Sequence, residues 1–223
     1  MCSHDENMKI YAVTSQSVNW LFDGVFLPSI RKVEPTAKVI TFVSDIGGNG
    51  DFSSPEFIRI QLFRLELILT WIKDNFGEVI LVSDVDIRYL RPFIKAMNDE
   101  IRGYDLAFQQ HGNSANMGQM LIRCSSETLM FYETVLGETR RTGEWEEVVL
   151  NRTLHNTSNV RYKLLSPQFA NTKVGFLSEM YSFHPIGTVP RAGVTSRELK
   201  IQQFQALDQY LTSLKTADTV QKQ

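Results

Sequence analysis

The sequence predicts an α/β fold built on a mixed, mainly parallel sheet flanked by helices. Two observations carry that expectation. Short runs rich in β-branched residues, "MKIYAVTS", "AKVITFVS" and "VILVSDVD", alternate with helical segments through the first half of the chain. The 223 residues, 43% hydrophobic and 22% charged, have the ordinary balance of a soluble globular protein and suffice for one large core. The chain is therefore expected to form a single domain over 1–223, with 1–7 and about 216–223 frayed.

Taken in order, residues 8–15 form a first buried strand. "NWLFDGVFLPSIRKV" follows as a helix carrying Trp20, Leu21, Phe26 and Ile30, with Pro28 a point for a kink. Residues 37–44 give a second strand, and "DIGGNGD" a glycine-rich loop. "SSPEFIRIQLFRLELILTWIKDNFG" is a long helix, capped by Ser53 or Ser54, with Pro55 in its first turn and Gly77 at its end. Its apolar residues cover most of the circumference, which predicts extensive burial. "VILVSDVD" is the third strand, and "YDLAFQQ" and "GQMLIRCS" are two more. "SETLMFYETVL" and "WEEVVLNRTLHN" are helical. A last helix opens on a capping box of Thr195 and Glu198, then repeats Ile201, Phe204, Leu207, Leu211 and Leu214 as a core-facing stripe.

The run "EVILVSDVDIRYLRPF" places Asp84 and Asp86 one residue apart at the end of an apolar strand. In parallel sheets, ligands bind beyond such carboxyl ends. Burying a carboxylate is costly unless it is paired or bound to a cation. Residues i and i+2 share a face, so a chain turning outward near Asp84 aims both groups at one point. A divalent cation neutralises both, and hard oxygen donors suit Mg²⁺ or Mn²⁺, with substrate phosphate completing the shell. The same residues also fit a solvated strand end, with Asp84 capping the turn and Asp86 paired to Arg88 or Arg91. The pattern alone leaves both open.

Four stretches together carry a resemblance. "VILVSDVDIRYLRP", "SANMGQMLIRC", "EWEEVVLNRTL" and "SFHPIGTVP" resemble, in this order, the DxD strand, the Asn-x-Gly strand, the acidic segment and the His-x-x-Gly loop of GT-A fold nucleotide-diphospho-sugar transferases, in particular glycosyltransferase family 77. The resemblance runs from about residue 8 to 204. It implies a Rossmann-like GT-A fold and transfer of a sugar, with retention, from a nucleotide-sugar donor to a carbohydrate or other hydroxyl acceptor. The donor is expected to be a UDP-sugar, with galactose and xylose foremost. Asp84, Asp86 and His184 would hold the Mn²⁺ or Mg²⁺. Val13, Thr14 and Ser15 would floor the base. Asp84 and Val85 would lie along the donor, Asn116 and Gly118 on its sugar, and Glu146 or Glu147 on sugar or acceptor hydroxyls. Gly187 belongs to the late loop. Arg64, on the helix before DxD, would face the donor; a salt bridge to Glu66 or another core acid fits it equally. Where relatives carry a lysine on the diphosphate, position 190 is proline, which leaves Arg191 as the candidate.

Other readings remain at this stage. A strand ending in DxD also introduces the phosphoaspartate of haloacid-dehalogenase-type phosphatases, although Arg88 stands where those have threonine or valine. A non-catalytic domain binding sugar nucleotides or carbohydrate is a second. The net charge of −2 recruits no nucleic acid. No stretch approaches about 20 uninterrupted apolar residues, so no membrane span is expected, and the lack of a signal-peptide core makes a cytoplasmic location the expectation. Of the two cysteines, Cys124 ends an apolar run as a small buried hydrophobe, and neither forms a CxxC. Asn151 and Asn156 open tripeptides that match glycosylation sequons.

Overall fold

The computed structural model describes residues 8–46, 55–156, 159–169, 179–185 and 193–220. The chain opens with β1 (Lys9–Ser15). A helical passage follows, in which one π-helical turn, Phe22–Phe26, separates α1 (Asn19–Leu21) from α2 (Leu27–Val33). The irregularity expected at Pro28 thus falls one turn earlier. The proline itself sits in the first turn of α2, where its missing amide has no intrahelical partner to lose.

β2 (Lys38–Ser44) and α3 (Pro55–Asp74) come next, and the chain turns after α3 at Gly77 with φ of 86°. α3 is less enclosed than its composition suggests, burying only Arg64, Leu65, Ile68, Trp71 and Ile72. Trp71 stacks on Tyr11 of β1 and leans on Phe42 of β2, the edge strand.

The remaining elements are β3 (Val79–Ser83), β4 (Arg88–Tyr89), α4 (Ile94–Glu100), β5 (Leu106–His111), β6 (Ser114–Arg123), α5 (Ser126–Thr142), α6 (Glu146–Asn156), β7 (Tyr162–Leu164), β8 (Ser182–Phe183) and α7 (Ser196–Val220). The main sheet has the order β2-β1-β3-β6-β5-β7. β1 runs parallel to β2 and β3, and β5 parallel to β7; β6 is antiparallel to β3 and β5. The sheet is therefore mixed and mainly parallel. β3 stops at Ser83 rather than running through Asp86, and the chain leaves the sheet to pair as β4 with β8. "QQHGNSAN", read as a loop, is the tip of the β5–β6 hairpin, where His111 pairs with Ser114 across Gly112, whose φ is 65°.

Side chains alternate between the two faces of the sheet and fill two cores. Ile10, Ala12, Leu81 and Leu121 face α2, α4 and α7. Tyr11, Ile80, Val82, Met120 and Ile122 face α3, α5 and α6. Cys124 is buried in the second core, and that burial pushes its thiol up to about 12. Asn151 is engaged too: its side chain accepts from the Ala115 amide at 2.9 Å and donates to the Ala115 carbonyl at 2.8 Å, binding α6 to β6. No helix among the described residues is long and apolar enough to cross a membrane.

α7 begins with the anticipated box. The Thr195 amide donates to Glu198 Oε2 at 2.7 Å, and the Glu198 amide to Thr195 Oγ1 at 3.2 Å. Its stripe reaches the first core through Phe204, edge-on to Phe183, and through the fully buried Leu207. Leu207→Ala should cost about 2–5 kcal/mol, the range for leucines truncated in a packed core. Urea denaturation followed by circular dichroism measures it; a loss under about 1 kcal/mol would mean α7 is only loosely seated.

Candidate active site

Asp84 and Asp86 stand where the chain leaves the sheet. The Asp84 amide still donates to the Gly118 carbonyl at 2.7 Å, which continues the β3–β6 ladder by one step. Beyond it, Val85 and Ile87 turn into the first core, which sends the two carboxylates the other way. Asp86 is buried, while the Asp84 side chain is 37% exposed.

Each carboxylate has dedicated partners. Asp84 Oδ1 lies 3.0 Å from an Arg64 guanidinium nitrogen. Asp86 Oδ1 lies 3.0 Å from His184 Nε2, and its other oxygen accepts from the Lys200 ammonium of α7. His184 Nε2 is also 3.9 Å from Asp84 Oδ2. Burial pushes Asp86 up, but His184 and Lys200 outweigh it and hold the group far below the usual carboxylate range. Burial also pushes Asp84 up; Arg64 opposes the shift and the Asp86 charge adds to it.

The antiparallel pairing of β5 and β6 supplies the rest. Phe108 pairs with Met120 but Gln109 with Asn116, so β6 arches at Met117, Gly118 and Gln119. The arch frees the Met117 carbonyl to accept from Arg64 at 2.5 Å. It also brings Gly118 under the imidazole of His184. A Cβ on Gly118 would lie 2.5 Å from His184 Cε1 and 2.8 Å from both His184 Nδ1 and Asn116 Oδ1. Only glycine accommodates that approach. The buried Gln109 places its Oε1 3.0 Å from His184 Nδ1. That contact orients the ring so that Nε2 faces the carboxylates.

A second pair of acids borders the first. Asn116 donates to Glu147 Oε2 at 2.7 Å and accepts from the Gly118 amide at 2.9 Å. Glu146, in the first turn of α6, is 3% exposed, and its Oε2 has no hydrogen-bond partner among the described residues. Burial pushes Glu146 up to about 8 against the pull of Arg64, and Glu147 up to about 7.

The ligand atoms of Asp84, Asp86 and His184 all fall within 4.8 Å of one another. Two carboxylate oxygens and one imidazole nitrogen at that separation could hold a divalent cation. The family model for nucleotide-diphospho-sugar transferases matches residues 22–204. The chain belongs to that family.

Solved transferases share the fold. GlyE of Streptococcus pneumoniae TIGR4 is similar at a TM-score of 0.56 and 14% identity, over 86% of this chain and 60% of that one. A glycosyltransferase involved in glycosylation of the major capsid of PBCV-1 is similar at 0.56 and 10%, over 87% and 98%. The bifunctional glycosyltransferase WbbM is similar at 0.56 and 7%, over 91% and 50%. The chain thus spans about 60% of the length of GlyE. At these identities the likeness establishes the architecture alone, a GT-A type α/β fold. Comparison with curated proteins gives no match.

For this family member, most of the residues singled out by sequence converge. Asp84, Asp86, Asn116, Gly118, Glu146, Glu147, His184 and Arg64 form one connected cluster. The β1–β3 register sets Ala12 beside Ser83, so Val13, Thr14 and Ser15 continue alongside the departing Asp84. Thr14 Oγ1 is buried there without a hydrogen bond among the described residues. Val85 contributes its side chain to the core rather than to the cleft. Gly187 and Arg191, like Ser53, Ser54 and most of "DIGGNGD", lie outside the described residues.

Three sequence-level pairings are corrected. Glu66 pairs with Arg140, leaving Arg64 to Asp84. Arg88 pairs with Asp208, and Arg91 with Glu179, so neither serves Asp86. Lys200 and Gln109 went unnoticed in the sequence. Lys200 lies outside the apolar stripe of its helix, and Gln109 faces inward through the irregular β5–β6 pairing.

Two outcomes follow from this geometry. The folded protein holds protons on Glu146 and Glu147 that the unfolded chain releases above about 4.5. Their contribution to stability is therefore full below that pH and is lost as pH rises through about 7 and then 8. Glu146→Gln should melt with less pH dependence than wild type between about pH 5 and pH 9, as read by differential scanning calorimetry. Gly118→Ala must displace the His184 ring or Asn116 and should lose about 1–3 kcal/mol in denaturant unfolding.

Proposed function

We propose that this protein is a divalent-cation-dependent glycosyltransferase. It moves a sugar from a nucleoside-diphosphate donor, a UDP-sugar foremost, to a hydroxyl of a carbohydrate or similar acceptor, with retention of the anomeric configuration. The observation that carries this reading is the convergence of Asp84, Asp86 and His184 at the rim of the parallel strands, within a chain of this family. The 223 residues act in this reading as one catalytic domain.

Asp84, Asp86 and His184 would hold the cation, Mn²⁺ in preference to Mg²⁺. When bound, that ion supplies Lewis-acid stabilisation of the negative charge that develops on the departing nucleoside diphosphate. Everything else is the work of the chain. Arg64, held by Met117 and Asp84, adds fixed positive charge beside the same leaving group. Gln109 orients the imidazole. The ends of β1 and β3 form a floor against which Val13, Thr14 and Ser15 meet the base.

Glu147 titrates near neutrality, so it is able both to accept from and to donate to a hydroxyl of the sugar or the acceptor. Asn116 fixes the direction of that carboxyl. Glu146 contributes a buried oxygen with no other hydrogen-bond partner among the described residues, which a substrate hydroxyl satisfies. In a same-face displacement the departing phosphate accepts the acceptor's proton, and the anomeric configuration of the donor is kept.

A panel of nucleotide sugars, assayed for nucleoside-diphosphate release with Mn²⁺ and with chelator, tests the assignment. Asp86→Ala should lower metal-dependent turnover by at least about 10²-fold, the loss typical of one removed transition-state contact, with an unchanged circular dichroism spectrum. Full activity of that variant in chelator would sink the reading.

A further inference from the structure

The divalent-cation reading leaves one charge without a role. Lys200 reaches from the first turns of α7 to the oxygen of Asp86 that His184 does not use. The contact joins residues 114 apart in sequence, and both side chains are largely shielded from water, at 19% and 9% exposure. The backbone beneath Lys200 is fixed: Phe204 packs edge-on against Phe183, Leu207 is fully buried, and Asp208 holds Arg88 at 2.7 Å. The ammonium itself rides on a four-carbon stem and is free to swing where the helix is not.

Each aspartate already has a cationic partner before any ligand enters. Asp84 and Asp86 face one guanidinium, Arg64, and one ammonium, Lys200. A divalent ion approaching Asp86 meets an ammonium already seated on it, and the two repel at short range. A nucleoside diphosphate arriving with the ion brings negative charge to the same place. The ammonium then gains a partner by moving and loses one by staying.

We propose that Lys200 is a transferable counter-cation: it neutralises Asp86 in the ligand-free protein and passes to the diphosphate of the nucleotide when the divalent ion takes its seat. This inference rests on the metal-dependent reading above. It makes Lys200 a ligand of the leaving group as well as a competitor of the metal. Those two roles have opposite signs in a binding experiment, and a merely structural ion pair has neither.

The test is isothermal titration calorimetry on the full chain, with MnCl₂ alone and with UDP in saturating MnCl₂, comparing wild type, Lys200→Met and Lys200→Arg. Both substitutions keep a long unbranched stem, so α7 retains its packing. Lys200→Met should bind Mn²⁺ alone about threefold to tenfold more tightly, because the seat is free, and UDP about tenfold more weakly, because a charge-assisted contact is gone. Lys200→Arg should hold UDP within about threefold of wild type. Unchanged or weaker Mn²⁺ binding by Lys200→Met overturns the proposal, as does unchanged UDP binding, or an arginine variant as impaired as the methionine one. Wild type that binds no Mn²⁺ overturns the metal-dependent reading and this inference with it, whereas wild-type binding with an unaltered Lys200→Met overturns this inference alone.

Discussion

Two carboxylates held within one cleft repel each other and resist burial, and the architecture around them is a set of answers to that cost. Arg64 comes from α3, His184 from just beyond β8 and Lys200 from α7, three separate elements that meet at Asp84 and Asp86. Remove His184 or Lys200 and the buried Asp86 carboxylate has less compensation; remove Arg64 and the partly exposed Asp84 loses its partner. The cost also explains why β3 ends where it does. Inside the ladder Asp84 and Asp86 would point into a core; once the chain departs after Ser83, Val85 and Ile87 take the core positions and the acids take the cleft.

The partners are aimed by departures from regular structure. Regular β5–β6 pairing would tie the Met117 carbonyl into the ladder and leave no room beneath the imidazole. The arch at Met117, Gly118 and Gln119 releases the carbonyl to Arg64 and lets the His184 ring descend onto a glycine. The same register shift sets Gln109 under the ring. One irregularity in one hairpin therefore positions three contacts. Conversion of the arch to regular pairing would dismantle them together, which ties local backbone geometry to site chemistry more tightly than any single side chain does.

The sequence disclosed the parts whose signal is local. Apolar β-branched runs ending in acids mark β3 and its rim; the Thr195 and Glu198 box marks the start of α7; Pro55 and Gly77 punctuate α3. Residues whose meaning depends on distant partners stayed hidden. Lys200 has no local feature that separates it from a solvated lysine, because its partner lies 114 positions away. Arg64 was legible as a buried cation in want of an acid, but not which acid, since Glu66 sits two residues off and points outward to Arg140. Gly118 was expected to make room for a sugar; in the structure the group that closes upon it is His184. The enclosure of α3 was overestimated because composition reports how apolar a helix is, not which of its faces finds cover.

The two faces of the sheet meet at this cleft and set three of its carboxyls apart in charge. From the side of β4, β8 and α7 come the cations that keep Asp86 ionised. From the side of α6 come Glu146 and Glu147, which burial pushes up to about 8 and about 7. Carboxyls of one chemical kind are thereby sorted by environment: Asp86 is held as an anion, while Glu146 and Glu147 are held nearer their neutral form. Sugar transfer asks for both in one place, a grip on the departing phosphates and hydrogen bonds that adapt to the sugar and its acceptor. A carbohydrate-binding module needs only the second, and a simple cation site only the first. That the fold builds both, from opposite cores, around a single strand end is the physical argument for catalysis over recognition alone.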